Sequence, residues 1–384
     1  MHTVTMNEDF GPLQLQRGET YLLNDVNAAT VLAWEAGTAQ VRPVAKVMPH
    51  GFLFRRRLPA SVLIIRAGGF GDLISLRPAL AALVAAGVRV GVACFGAYHE
   101  ALTASGAECH EYPVNVKALR QWEHVMTLEN LVEKSDAARR LPLVDLFCQA
   151  LNLKLSTQEK RPRYAVPAFF REWARGRYVK EGVTGRIGVQ LRASAACRCW
   201  DFESRVKPAV QILLKKGYQV LLFDTPGRAA LEGAHPRLVA VFADPEVKTW
   251  HQTAALLETC DGFLGPDSGV THLAGALGVP GLALFGAFPS RLRVDCYPSL
   301  KAMEGAAPCA PCFHHVGATG QPWPEGGPCH KTGSCVAMNQ LSPVRVVHQL
   351  EKWMEERRGA KLLRPGLDDE GGGAGGDLVK LGEG

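Results

Sequence analysis

Twice along the chain a continuous apolar run passes into a glycine-bearing turn and then into a segment with helical spacing. The first run, Ser61-Val62-Leu63-Ile64-Ile65-Arg66, has the unbroken β-branched character of a strand buried on both faces. A turn rich in glycine and a helical stretch from Arg77 to Ala86 follow, then the strand Val88 to Ala93. This β-α-β order continues to about Pro167, where Arg161-Pro162-Arg163 and Pro167 mark a crossing between domains. A second series opens with the strand Arg186 to Leu191, a helix near Val206 to Lys216 and the strand Tyr218 to Phe223. It continues through a helix at Thr253 to Thr259, a strand at Gly262 to Leu264, a helix from Thr271 to Leu277 and the strand Gly281 to Phe285. Two Rossmann-like units follow from this order, with ligands expected outside the carboxyl ends of the strands and the active site in the cleft between the units.

A chain of 384 residues exceeds what one core usually supports, which agrees with two main domains. The predicted division is a small appended unit of unreadable role over 1–58 and an N-terminal Rossmann-like domain over 59–170. A C-terminal Rossmann-like domain over 171–345 carries a cysteine-rich loop at 309–335. A terminal helix follows over 346–360, then a tail over 361–384 whose run Gly371 to Gly376 is too poor in apolar surface to order itself. Within 1–58, Thr20 to Leu23 reads as a strand and Asn27 to Glu35 as an amphipathic helix.

The formal charge of +6 suits polyanionic ligands such as a nucleotide diphosphate, an anionic glycolipid or nucleic acid, and selects none of them. Arg55-Arg56-Arg57 reads as a solvated linker or as a contact with a membrane surface or nucleic acid. The N-terminus lacks the basic-then-apolar order of a secretory signal, so a cytoplasmic location is expected. The apolar stretch from Leu73 to Val92 is interrupted by Arg77, Pro78, Gly87, Arg89 and Gly91, so any membrane contact would be peripheral.

Three clusters can carry chemistry. In the first, Gly68, Gly69 and Gly71 permit close backbone approach of a ligand at a helix start, but Asp72 stands where a dinucleotide fingerprint would continue. Asp72 itself reads either as a helix cap or as a catalytic carboxylate. In the second, Asp267, Ser268 and Gly269 open a helix whose amides can hold a diphosphate. His272 in its first turn is either a structural hydrogen-bonder or a ligand contact. In the third, Cys309, Cys312, Cys329 and Cys335, with His314, His315 and His330 nearby, have the composition of a structural zinc site. The irregular last spacing leaves free thiols and a disulfide as alternatives.

The run Asp267 to Pro280, followed by Leu284-Phe285-Gly286, resembles the donor-site signature of glycosyltransferase family 9, the ADP-heptose:lipopolysaccharide heptosyltransferases. Leu63 to Arg66, Gly71-Asp72 and Pro78-Ala79-Leu80 are similar to the family's other signature, and the resemblance covers roughly residues 60–350. It implies a GT-B fold and an inverting, metal-independent transfer, with acceptor bound mainly by the N-terminal domain and donor by the C-terminal one. By position it makes Asp72 the general base. It makes Asp267, Ser268, Gly269 and His272 contacts to the donor, an ADP-sugar in this family. A strand end with Arg192, Ser194 and Arg198 is similar to a further family segment that meets the diphosphate, although Arg192 and Cys197-Arg198-Cys199 depart from the usual residues and put the donor's identity in question. Asp224 reads as a ribose contact or as a turn residue. Similar cysteine-bearing loops occur in the family.

The leading expectation is transfer of a heptose-like sugar to a glycolipid or glycan such as lipopolysaccharide core, with no cofactor in catalysis. The alternatives are a family-9-like transferase acting on another acceptor, such as a modified DNA base, and a non-catalytic nucleotide-binding protein of the same fold.

Overall fold

The structure is a computed structural model that describes residues 1–6, 9–34, 40–43, 58–224, 231, 235–313, 329, 332–363 and 380–381. Arg55-Arg56-Arg57, His314, His315, His330 and the run Gly371 to Gly376 lie outside the described residues. The chain divides into two compact units, one built on Met1–Lys160 and the other on Arg161–Val316 with the terminal helix.

The first unit opens with β1 (His2–Thr5), β2 (Thr20–Leu23), α1 (Asp25–Trp34) and β3 (Gln40–Pro43). It continues through β4 (Ser61–Ile65), α2 (Phe70–Ala85), β5 (Arg89–Cys94), β6 (Glu108–Glu111), β7 (Val114–Asn115) and β8 (His124–Thr127). It closes with α3 (Leu131–Lys134), α4 (Leu143–Ala150) and β9 (Leu153–Lys154). One sheet has the order β6-β5-β4-β8 with all neighbours parallel, so its first strand in sequence stands between the second and the fourth. Val62, Leu63, Ile64 and Ile65 are all fully buried, as the apolar run requires.

The leading segment forms an antiparallel sheet in the order β3-β1-β2-β7, joined to the rest by the pairs Tyr21↔Asn115 and Leu22↔Val114. Strand alternation explains the join. Tyr21 and Leu23 point into a local core with Val4, Met6, Phe10, Leu15, Ala28 and Val31. Leu22 points the other way, into a cluster with Leu63, Ile65, Ala93, Tyr112, Val114 and Trp122.

Helix α2 begins at Phe70, seven residues before the start read from the sequence. Gly68, Gly69 and Gly71 signal a break on propensity alone, but from Phe70 the helix is buried nearly all round, through Leu73, Ile74, Leu76, Ala79, Leu80 and Leu83, and that burial decides the matter.

The second unit contains α5 (Ala168–Ala174), β10 (Arg186–Val189), α6 (Lys207–Lys215), β11 (Gln219–Leu222), β12 (Leu238–Ala240), α7 (Trp250–Glu258) and β13 (Gly262–Pro266). It goes on through α8 (Gly269–Ala276), β14 (Gly281–Phe285), β15 (Leu300–Glu304) and α9 (Pro343–Leu363). Its sheet order is β12-β11-β10-β13-β14-β15, all parallel, which is the doubly wound order with a switch between the first and fourth strands. Ile187, Val189, Val220, Leu222, Leu264, Leu282 and Leu284 pack there against α6 and α9 residues such as Val210, Leu213, Val346 and Leu350. In the tail, β16 (Lys380–Leu381) pairs antiparallel with β9 of the first unit. Among the described residues no helix is long and apolar enough to cross a membrane.

Candidate functional site

In the first unit the candidate residues gather where the strand order reverses, beyond the ends of β4 and β8. Arg66 leaves β4 only 1% exposed. Its Nη2 donates to Asp72 Oδ2 at 2.7 Å and to Glu133 Oε1 at 2.7 Å, and its Nη1 donates to Glu133 Oε2 and the Leu128 carbonyl, both at 3.2 Å. Burial works against the guanidinium's charge, but the carboxylates of Asp72 and Glu133 overcome it, so Arg66 holds its proton more tightly than an ordinary arginine. The Ala67 amide donates to Glu129 at 2.8 Å, tying the β4 end to the β8 end. Asp72 lies in the first turn of α2 with 21% of its side chain exposed, while Gly69 is the N-cap and supplies no side-chain cap. Gly71 is buried inside that turn.

Gly68 has a definite task. A Cβ there would stand 2.5 Å from Arg66 Nε and 2.6 Å from Cζ, so only glycine lets the guanidinium lie against the turn. Gly68→Ala is expected to lower stability by about 1–3 kcal/mol through overpacking. A urea midpoint unchanged from that of the parent protein would contradict this packing.

In the second unit the switch lies between β10 and β13. Ser268 caps α8, accepting from the Thr271 amide at 3.4 Å, and its hydroxyl donates to Gln190 Oε1 at 3.0 Å, joining the ends of the two strands. Asp267 is 5% exposed. Arg198 Nη1 and Arg293 Nε each stand 3.7 Å from its Oδ2, and His272 Nε2 stands 3.7 Å from its Oδ1. Burial alone would raise the Asp267 pKa; His272, Arg198 and Arg293 together push it below the usual carboxylate range. Arg198 also donates to the Asp267 carbonyl at 3.2 Å and to Ser194 Oγ at 2.7 Å. The Tyr297 hydroxyl meets His272 Nδ1 at 3.0 Å. Tyr297 can pack there because Gly275 has no Cβ, which would fall 2.5 Å from the ring. Both nitrogens of His272 therefore face protein groups.

Asp224 follows β11 at the same sheet edge and is buried. Arg192 follows β10 and lies over the Phe202 ring at 5.5 Å. Gly269 is the first residue of α8. Thus Arg198, Ser194, Asp267, Ser268, Gly269 and His272 come together, while Arg192 and Asp224 sit on the neighbouring part of that edge. Arg293, Tyr297 and Gln190 belong to the cluster and were missed as site residues. Arg293 and Tyr297 lie beyond β14 with no glycine-rich turn to flag them; Gln190, at the end of an apolar strand, was readable as its polar exit.

Of the four cysteines expected to hold zinc, three lie near one another: burial, with Cys329 and Cys312 close by, pushes the Cys335 thiol up to about 11. Cys309 and Cys312 are exposed, whereas Cys329 and Cys335 are buried. The Cys312 thiol hydrogen-bonds that of Cys197, and this bond together with burial pushes the Cys197 thiol up. Among the described residues no group of three or more His, Cys, Asp and Glu side chains could hold a metal ion.

Two doubly wound halves, each with polar groups at its switch point, are the architecture of the GT-B class. The family model described as glycosyltransferase family 9 (heptosyltransferase) matches residues 121–321. The chain belongs to this family and is a glycosyltransferase. No curated protein matches the sequence. Among solved structures, the chain is similar to ADP-heptose lipopolysaccharide heptosyltransferase II of E. coli, with a TM-score of 0.53 and 14% identity over 78% of this chain and 99% of that one. A family 9 glycosyltransferase from Veillonella parvula gives a TM-score of 0.55 and 14% identity over 77% and 98%. TibC of enterotoxigenic E. coli, a dodecameric iron-containing heptosyltransferase solved with ADP-D-beta-D-heptose, gives 0.57 and 11% over 93% and 91%.

Proposed function

We propose that the protein transfers a heptose-like sugar from an ADP-sugar to a hydroxyl of a glycolipid or glycan such as lipopolysaccharide core, with inversion and without a catalytic metal. One observation carries the donor half: at the head of α8, the two guanidiniums of Arg198 and Arg293 face the single carboxylate of Asp267. Two positive charges against one negative leave an excess of one positive charge at a helix N-terminus, the chemistry of a diphosphate site. The choice of ADP over other nucleotides follows the heptosyltransferases that this chain resembles, one of them solved with ADP-heptose. In this reading Asp224, just beyond the second strand of the doubly wound order, takes a ribose hydroxyl.

In the proposed reaction Asp72 accepts the proton of the acceptor hydroxyl while that oxygen attacks the anomeric carbon. The bond from that carbon to the donor phosphate breaks in the same displacement, which inverts the centre. Arg198 and Arg293 offset the charge that develops on the departing diphosphate, the role a metal ion fills elsewhere. Residues 59–170 would take the acceptor and 171–345 the donor. The reaction is assigned to the cytoplasm, with peripheral contact at the inner membrane face where a glycolipid acceptor would be presented.

A thermal-shift series with ADP-, UDP-, GDP- and dTDP-sugars tests the donor. A ligand at a hundredfold excess over its Kd adds about 2.7 kcal/mol of stability, so a rise confined to ADP compounds is expected. No response to any of the four would remove the proposal. Arg198→Ala should reduce kcat by about 10²–10³-fold, as loss of one preorganised donor does, while EDTA leaves the parent rate unchanged. A rate that falls on chelation would restore a metal to the mechanism.

A further inference from the structure

An open cavity of about 370 Å³ lies within the first unit, where the leading antiparallel sheet meets the parallel one. Pro12, Leu13, Gln14 and Tyr21 line one side. Phe95, which follows β5, and His110, Glu111 and Tyr112 at the end of β6 line the other. β5 lies beside β4 and β6 beyond it, so these carboxyl ends share the sheet edge from which Arg66 and Asp72 project. The volume falls in the range of small-ligand sites.

We propose that this cavity binds a saccharide unit of the acceptor, so that the leading segment of the chain supplies a substrate subsite. This rests on the reading of Asp72 as the base that receives the acceptor hydroxyl. The lining chooses the ligand class. In a chain of net charge +6, no Lys or Arg among the described residues lines the cavity, which disfavours a phosphate or nucleic acid. The half-buried Phe95 ring, braced edge to face at 5.3 Å by the buried Tyr112 ring, gives apolar surface of the kind sugar rings pack on. The polar groups include a donor as well as acceptors: the exposed Gln14 side chain carries an amide that both gives and accepts hydrogen bonds. Glu111 is 58% exposed and uses one oxygen for the Gly96 amide at 2.9 Å. Hydroxyl groups both give and accept hydrogen bonds and match such a mixture, whereas an ammonium group only gives them.

Saturation-transfer NMR on the full chain tests this with methyl glycosides of glucose, galactose, mannose and L-glycero-D-manno-heptose, alongside an acetylated dilysine amide. Transfer to the ring protons of at least one glycoside is expected, with loss in Ala118→Phe, which fills the cavity, and weakening in Glu111→Gln. Both variants should keep the parent response to ADP, which shows that they fold, and should raise the acceptor KM at least tenfold with kcat unchanged. No transfer to any glycoside, transfer that survives Ala118→Phe, or transfer to the peptide alone would overturn the proposal. Asp72→Asn keeps the glycoside signal while losing turnover; turnover retained in Asp72→Asn would instead overturn the base, leaving the cavity result to stand separately.

Discussion

Arg66→Met is expected to destabilise the protein by about 3–5 kcal/mol, because removing one partner of a buried ion pair strands the charges it compensated. The guanidinium is 1% exposed and binds the carboxylates of Asp72 and Glu133 together with the Leu128 carbonyl. Without it, two carboxylates face each other across the space it filled. The side chains of Asp72 and Glu133 keep 21% and 17% of their surface exposed, so water relieves part of the loss and the effect should lie near the lower end of that range. The measurement is urea unfolding of the parent and the variant at neutral pH. Adding Glu133→Leu to Arg66→Met should restore part of the stability by removing one stranded charge, a coupling that a double-mutant cycle detects. A single-variant loss under about 1 kcal/mol would mean that the network does not hold β4, α2 and α3 as described.

The parallel strands were legible because burial on both faces leaves an unbroken apolar signature: Ser61–Ile65 and Gly281–Phe285 match the expected positions. The capping chemistry at Ser268 was legible for the same kind of reason, since a hydroxyl residue before a helical run has one favoured use. The start of α2 was not, because glycine propensity pointed one way and burial from Phe70 onward pointed the other. Residues that act through tertiary contact were also hidden. Nothing local at Arg293 shows that it will stand 3.7 Å from Asp267, twenty-six positions earlier, and nothing at Glu133 shows that it will grip Arg66. The cysteine pattern was incomplete for a related reason. Spacing within 309–335 singled out Cys309, whereas folding brings Cys197, from a different loop, to Cys312.

Asp72→Asn should lower kcat by about 10²–10⁴-fold while leaving ADP-sugar binding intact. The substitution keeps the shape of the side chain and removes the proton acceptor, so a loss of this size, roughly 2.7–5.5 kcal/mol in the barrier, is the contribution of general-base catalysis alone. Because the Arg66 guanidinium donates to Asp72 Oδ2, the variant also loses half of a charge-assisted contact, and the stability of Asp72→Asn must be measured beside its rate. Arg66→Lys separates the two effects. It keeps the positive charge but cannot fork between Asp72 and Glu133, so it should move the acidic limb of the kcat/KM profile and lower kcat less than Asp72→Asn does. A purely structural Arg66 would change stability and leave that limb in place. Should Asp72→Asn turn over at the parent rate with donor binding unchanged, the base must be another carboxylate of the same cluster. Glu133 and Glu129 would then be the groups to replace, since both reach the end of β4 beside Arg66.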